Sequence, residues 1–160
     1  MALVPTAFFV PESLETPDFR IRKLTFRDAR LDYMAVMANI DLIRKTRGGA
    51  WPGANLTFED DQIDLAWHQR EFERRNSFAY AVMSLDKNEC LGCVYLYPPG
   101  ERGINTLDAD VDVSFWVVQA AYDAGLYESL FDVLQQWLAG WPFRKIGYSN
   151  AVLPRFARAS

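Results

Sequence analysis

The chain has 160 residues, half of them apolar, with two cysteines and a formal net charge of −4. That length makes a single domain whose core needs no staples, and the acidic balance argues against nucleic acid or an anionic membrane as the main partner. A local basic pocket for a small anion stays compatible with it.

Residues 1–18 read as an N-terminal arm. Its first stretch is apolar, but it lacks a positive leading segment and is interrupted by Pro5 and Pro11, so it makes a poor signal peptide. No apolar run in the chain is long enough to cross a bilayer, and a cytoplasmic protein is expected. Phe19 to Leu24 follows as a short strand. Thr25 with Asp28 has the form of a capping arrangement, and Ala29, Tyr33, Val36, Met37 and Ile40 come at helical spacing. Arg44 to Gly53 reads as a loop from its glycines and proline. It does not follow a strand, so a phosphate-cradling role is weak. Thr57, followed by Glu59, Asp60 and Asp61, opens a second helix with acids suited to its positive end. That helix is predicted to run to about Arg74 with Ile63, Ala66 and Trp67 inward. The only histidine, His68, lies on it and reads as a surface or packing residue rather than a catalytic one.

Phe78 to Met83 is apolar on both faces, as a central strand with cover on each side should be. Asp86 to Glu89 is the turn, and Leu91 to Tyr97 is the return strand, ended by Pro98-Pro99-Gly100. At its start stands Cys90-Leu91-Gly92-Cys93. Three residues of extended chain separate Cα atoms by roughly 10 Å, too far for a disulfide. A zinc site would need further thiol or imidazole ligands. The cysteines therefore read as packing residues, with a bend at Gly92 as the one way to bring the sulfurs together.

The most informative stretch comes next. In Asp110 to Val118, the residues Val111, Val113, Phe115 and Val117 share one face, and Asp110, Asp112, Ser114 and Trp116 share the other. A polar joint, Gln119 to Ala124, leads into a helix carrying Leu126, Leu130, Val133, Leu134 and Trp137, which Gly140 and Pro142 close. A strand feeding directly into a helix aims unpaired N–H groups at the joint, where folds of this kind hold anions. Phe143 to Tyr148 is the last strand. The element order β-α-α-β-β-β-α-β gives an α+β, α/β/α layered fold with a mixed, mostly antiparallel sheet; only the strands flanking the long helix are expected to run parallel.

This order, together with Phe19-Arg20-Ile21-Arg22-Lys23-Leu24-Thr25-Phe26-Arg27-Asp28-Ala29, Phe78-Ala79-Tyr80-Ala81-Val82, Leu91-Gly92-Cys93-Val94-Tyr95-Leu96 and Val113-Ser114-Phe115-Trp116-Val117, resembles the GNAT superfamily of N-acetyltransferases over residues 19–150. The resemblance implies acetyl- or other acyl-coenzyme A as co-substrate, with no metal, and a small-molecule or protein amine as acceptor. It places the thioester arm beside the Trp116 strand and the pyrophosphate on main-chain nitrogens at the long helix. Trp116, Val117, Val118, Asp123, Ala124, Gly125, Leu126 and Tyr127 are then the donor-binding residues. Backbone N–H groups around Val117 and Val118 would meet the oxyanion. Asp112 is the candidate base, since many family members carry a carboxylate on this strand; its other reading is a solvated residue on a polar face. Tyr148 is the candidate proton donor to the thiolate, against a plain packing role, and Arg47 and Trp51 lie where acceptor-binding segments occur.

Two departures from the family stand out. The window Tyr122-Asp123-Ala124-Gly125-Leu126-Tyr127 keeps only Gly125 of the usual phosphate-loop pattern, and Asp123 reads best as the N-cap of the long helix. The resemblance also implies a further helix and strand beyond the last strand, where this sequence carries only the tail 151–160 with Arg155 and Arg158. Cover by that tail, or a homodimer, is expected to protect the edge left open. The alternative to an enzyme is a catalytically silent relative that serves as a small-molecule-binding or dimerisation module.

Overall fold

The computed structural model describes residues 2–102 and 106–154, so Arg155 and Arg158 lie outside the described residues. The elements are β1 (Ser13–Glu15), β2 (Arg20–Lys23), α1 (Ala29–Met37), α2 (Ile40–Arg47), α3 (Phe58–Glu73), β3 (Phe78–Met83), β4 (Cys90–Tyr97), β5 (Val111–Val117), α4 (Gln119–Asp123), α5 (Leu126–Leu138) and β6 (Ile146–Tyr148). The strands form one six-stranded sheet in sequential order. Every neighbouring pair is antiparallel except β5 and β6, the pair joined by the helical crossover. The alternation of β5 sorts the core into two layers. Val111, Val113, Phe115 and Val117 pack with Leu130, Leu134 and Leu138 of α5, and Trp116 packs on the other side with Val36, Ile43 and Leu65.

The α+β layering and the parallel pair agree with the sequence reading, and five local features differ from it. The arm is not separate from the sheet, because it supplies β1, paired to β2, and buries Val4 and Val10. The first helix breaks in two at Asn39. The Asn39 side chain donates to the Ala35 carbonyl at 2.7 Å and accepts from the Gln119 backbone N–H at 2.7 Å, a competition for backbone partners that ends α1. Consequently Arg44 to Arg47 is the last part of α2 rather than loop, and Gly48, at φ 90°, terminates it.

The helix α3 starts after Thr57 as expected, with Thr57 and Asp60 in a capping box, but it is turned relative to the predicted face. Asp61, Leu65, His68 and Phe72 point inward, while Ile63 is 62% exposed and Trp67 39% exposed. Two polar residues on the inward stripe hid it from a hydrophobic pattern. In β4 the register slips at Leu91, so Met83 faces Cys90 while Val82 faces Gly92. A Cβ on Gly92 would lie 2.0 Å from the Trp116 carbonyl oxygen, so only glycine fits there. The bulge puts Cys90 and Cys93 on the same face, in the same buried layer, which corrects the expectation of well-separated sulfurs. Both thiols are free.

Candidate functional site

The joint after β5 is itself helical. Val118 is extended, α4 makes little more than a turn, and Gly125 then adopts the left-handed conformation (φ 89°, ψ 9°) that redirects the chain into α5. Gly125, not Asp123, is therefore the N-cap of α5. Asp123 closes α4, where it accepts from Gln119 Nε2 at 2.9 Å. No side chain caps the first turn of α5 among the described residues, so its opening amides keep their capacity for an anion. Val118, Ala124 and Leu126 line a cleft of about 460 Å³ beside this turn, together with Leu91 and with Asp18 and Glu89. Those two acids oppose a pyrophosphate in the cleft itself.

The β5–β6 pairing ends at Val113 and Tyr148, and the Ser149 N–H donates to the Val113 carbonyl. Beyond that point the strands part, but the edge of β5 is not bare. The Phe115 N–H donates to Asn150 Oδ1 at 3.0 Å, and Asn150 Nδ2 donates back to the Phe115 carbonyl at 2.9 Å. The carboxamide stands in for a peptide unit. Ala151 and Val152 then bond to the carbonyls of Arg47 and Thr46 at the end of α2. Tyr127 fastens this segment. Its ring is buried against Phe115, and its hydroxyl donates to the Val152 carbonyl and accepts from Asn150 Nδ2. The mouth in which the resemblance places the thioester arm is thus covered by residues 150–152, and Tyr127 is a structural clasp rather than a phosphate neighbour.

The other predicted donor residues divide cleanly. Trp116 is fully buried and donates from Nε1 to the Tyr95 hydroxyl at 2.9 Å, so its side chain belongs to the core. The Val118 N–H is spent on the Leu91 carbonyl at 2.9 Å, which removes it as an oxyanion donor. Hydrogen-bonding direction alternates along a strand, so the Val117 N–H points to the opposite edge, toward the mouth.

Asp112 and Tyr148 do not meet. Tyr148 pairs with Val113 across the parallel ladder and lies half-buried on the α5 side, edge-on to Phe131 at 5.0 Å. Its hydroxyl has no partner and burial pushes its pKa up to about 12. Asp112 lies on the opposite face and is fully buried, not solvated. It accepts a short hydrogen bond from Ser149 Oγ, to which Arg102 Nη1 also donates at 2.9 Å. Its second oxygen has no partner. Loss of water raises the Asp112 pKa above the ordinary carboxylate value, against the pull of Ser149 and of the Arg102 and Arg47 charges. Asp110 has a different role, accepting from the backbone N–H groups of Arg144 and Lys145 at the entrance to β6.

Arg47 and Trp51 are brought together. Arg47 is buried at the end of α2, donates from Nε to Ser114 Oγ at 3.1 Å, and lies 4.3 Å from the Tyr95 ring centre and 5.5 Å from that of Trp51. With Tyr97 and His68 they line a cavity of about 130 Å³. The His68 ring is buried parallel to Tyr97, with Nε2 3.4 Å from Asp64. A second depression of about 310 Å³ joins Arg47 and Trp51 to Gly48, Gly49 and Arg102. Sequence reading missed Arg102, Ser149 and Asn150, which no motif marks. It also set His68 aside, although the spacing Leu65-His68-Phe72 placed it on an inward face.

No family sequence model matches the chain, and neither does any curated protein sequence. Solved structures do match. The ribosomal-protein-S5-alanine acetyltransferase from Vibrio fischeri aligns with a TM-score of 0.61 at 16% identity, over 79% of this chain and 66% of that one. RimL, a ribosomal L7/L12 α-N-protein acetyltransferase in complex with coenzyme A, aligns with a TM-score of 0.61 at 12% identity, over 81% and 67%. The fold is that of the GNAT N-acetyltransferases. The microcin C7 self-immunity acetyltransferase MccE, in complex with acetyl-CoA and AMP, has the same GNAT fold, with a TM-score of 0.59 at 14% identity over 82% and 70%. The chain spans about two thirds of the length of these GNAT structures. Among the described residues no helix is long and apolar enough to cross a membrane.

Proposed function

We propose that this protein is a cytoplasmic acyltransferase that moves an acetyl or other acyl group from coenzyme A to a small-molecule, peptide or protein amine. In that reaction a C–N bond forms as the thioester C–S bond breaks, and the ammonium nitrogen gives up two protons, one to the base and on to solvent and one to the departing sulfur. The observation that carries the reading is the GNAT sheet itself, whose parallel β5–β6 pair parts after Val113 with α5 amides beside the gap. The acceptor enters through the depression between Arg47, Trp51 and Arg102. Asp112 is the base, reached through Ser149, and a carboxylate shifted upward by burial accepts a proton better at neutral pH than an ordinary one. The Val117 N–H is the oxyanion donor. Donor uptake requires Asn150 to release Phe115, after which an amide of the coenzyme arm makes the bonds its carboxamide made. β6 is an edge of the sheet among the described residues, and a homodimer pairing there belongs to the same reading.

The second reading, a silent binding module, is favoured by one specific feature, the occupation of the Phe115 N–H and C=O by Asn150. Acetyl-CoA binding decides between them. Ligand at 100 times its Kd stabilises a fold by about 2.7 kcal/mol, which a melting curve resolves. The enzyme reading expects a rise in Tm with acetyl-CoA and a larger one in Asn150→Ala. No shift in either protein at millimolar ligand makes the silent module correct.

A further inference from the structure

The bulge in β4 has a chemical consequence at the far side of the sheet from α5. It places the Cys90 and Cys93 sulfurs side by side beneath α1, where Asp32 points down at them. Cys93 Sγ lies 3.3 Å from Asp32 Oδ1, and one donor atom from each of Asp32, Cys90 and Cys93 falls within 4.8 Å of the others. Exposures are 2% for Asp32, 8% for Cys90 and 0% for Cys93. From α3, Asp61 adjoins the Asp32 carboxyl. Asp61 is 0% exposed, lies within hydrogen-bonding reach of Asp32, and among the described residues meets no donor group other than that carboxyl.

Such an arrangement is expensive without a cation. Two carboxyls facing each other out of water cannot both be ionised unless a cation joins them; without one, the pair must hold a proton between them. Arg22, whose charge acts on both cysteines, has its guanidinium already committed to both oxygens of Asp28 at 2.9 and 2.7 Å. A divalent ion that takes thiolate and carboxylate together would satisfy the whole group. That donor set suits zinc, which accepts sulfur and oxygen ligands in tetrahedral geometry, and does not suit calcium or magnesium, which take oxygen alone. Tetrahedral bonds of zinc length put ligand atoms about 3.3–3.8 Å apart, so side-chain adjustments of about 1 Å close the Asp32–Cys90–Cys93 set, and Asp61 joins it from its place beside Asp32.

We propose that Asp32, Cys90, Cys93 and Asp61 form a buried structural zinc site. With four protein ligands the site has no open coordination position, and it lies apart from Asp112. Its effect is to clamp α1 and α3 onto β4 and so to fix the layer that carries His68. This inference is independent of acyl transfer.

The test is a cobalt titration of the full-length, reduced, chelator-treated protein, followed by displacement with zinc. One equivalent of cobalt should produce a thiolate-to-metal charge-transfer band and the intense visible bands of a four-coordinate ion, both lost on adding zinc, and zinc should raise Tm. Asp32→Asn and Cys93→Ser should each weaken binding at least about tenfold. Buried variants can misfold, so the wild-type spectrum decides by itself. Saturating cobalt without a charge-transfer band, in protein whose circular dichroism shows it folded, overturns the proposal. So does a band that persists when both cysteines are replaced by serine in a folded chain.

Discussion

At the level of a single residue, the environment of Asp112, the base of the proposed reaction, makes a prediction that needs no substrate. Burial raises its pKa, and the Ser149 hydrogen bond with the Arg102 and Arg47 charges only partly reverses this. A carboxyl with a folded pKa above its unfolded one holds its proton in the native state over a window where the unfolded chain has released it. The native state therefore loses stability as pH rises from about 4, the ordinary carboxylate value, through the raised one. Asparagine has nearly the same shape, can accept from Ser149, and does not titrate. Plotted against pH, Tm should fall more steeply for the wild type than for Asp112→Asn inside that window. The two curves should run parallel below it. Parallel curves throughout would show that Asp112 ionises as freely as a surface aspartate, and would remove the basis for its use as a base. The same shift makes acyl transfer rise with pH above the usual carboxylate range in the wild type and fall away in the variant.

At the scale of elements, legibility followed how much of the pattern was local. β5 and α5 were readable because their apolar residues obey one period each, and the start of α3 was readable because Thr57 and the acids after it suit a helix N-terminus within one turn. The inward face of α3 was not, since Asp61 and His68 break the apolar stripe that Leu65 and Phe72 define. Nor could the sequence show that Asp112 and Tyr148 face opposite sides. That depends on β6 pairing Tyr148 with Val113, a register fixed by long-range packing. Arg47 and Trp51 did come together, though from a helix end rather than from within one loop. The rotation of α3 can be measured. Leu65→Ala should cost about 2–5 kcal/mol in urea denaturation, because it empties a site in the core. Ile63→Ala should stay within about 0.5 kcal/mol, as exposed positions do. The reverse ranking would mean that the helix presents the face its hydrophobic pattern suggests.

For the molecule as a whole, the arm that the sequence set apart acts as a strap across the open end of the core beneath α5. Val4 and Val10 are buried there, and the Phe8 ring packs 5.2 Å from Trp141, which in turn meets Phe78. Polar contacts hold the strap in place. Arg75, itself at φ 64°, donates from Nη2 to the carbonyls of Pro5 at 2.6 Å and Phe8 at 2.8 Å, and its own carbonyl accepts from the Leu3 N–H at 2.8 Å. The Tyr80 hydroxyl donates to the Pro11 carbonyl at 2.6 Å. Removing residues 1–12 would leave β1 in the chain but strip these contacts. Each buried valine contributes about 1.5–3 kcal/mol, and a buried tyrosine hydroxyl left without an acceptor costs about 1–3 kcal/mol more. Against a total stability of about 5–15 kcal/mol, the shortened chain should unfold at a markedly lower denaturant concentration and bind a hydrophobic dye through the exposed Phe78 and Trp141. An unchanged midpoint would mean that residues 1–12 add nothing and that the folded unit needs nothing before β1.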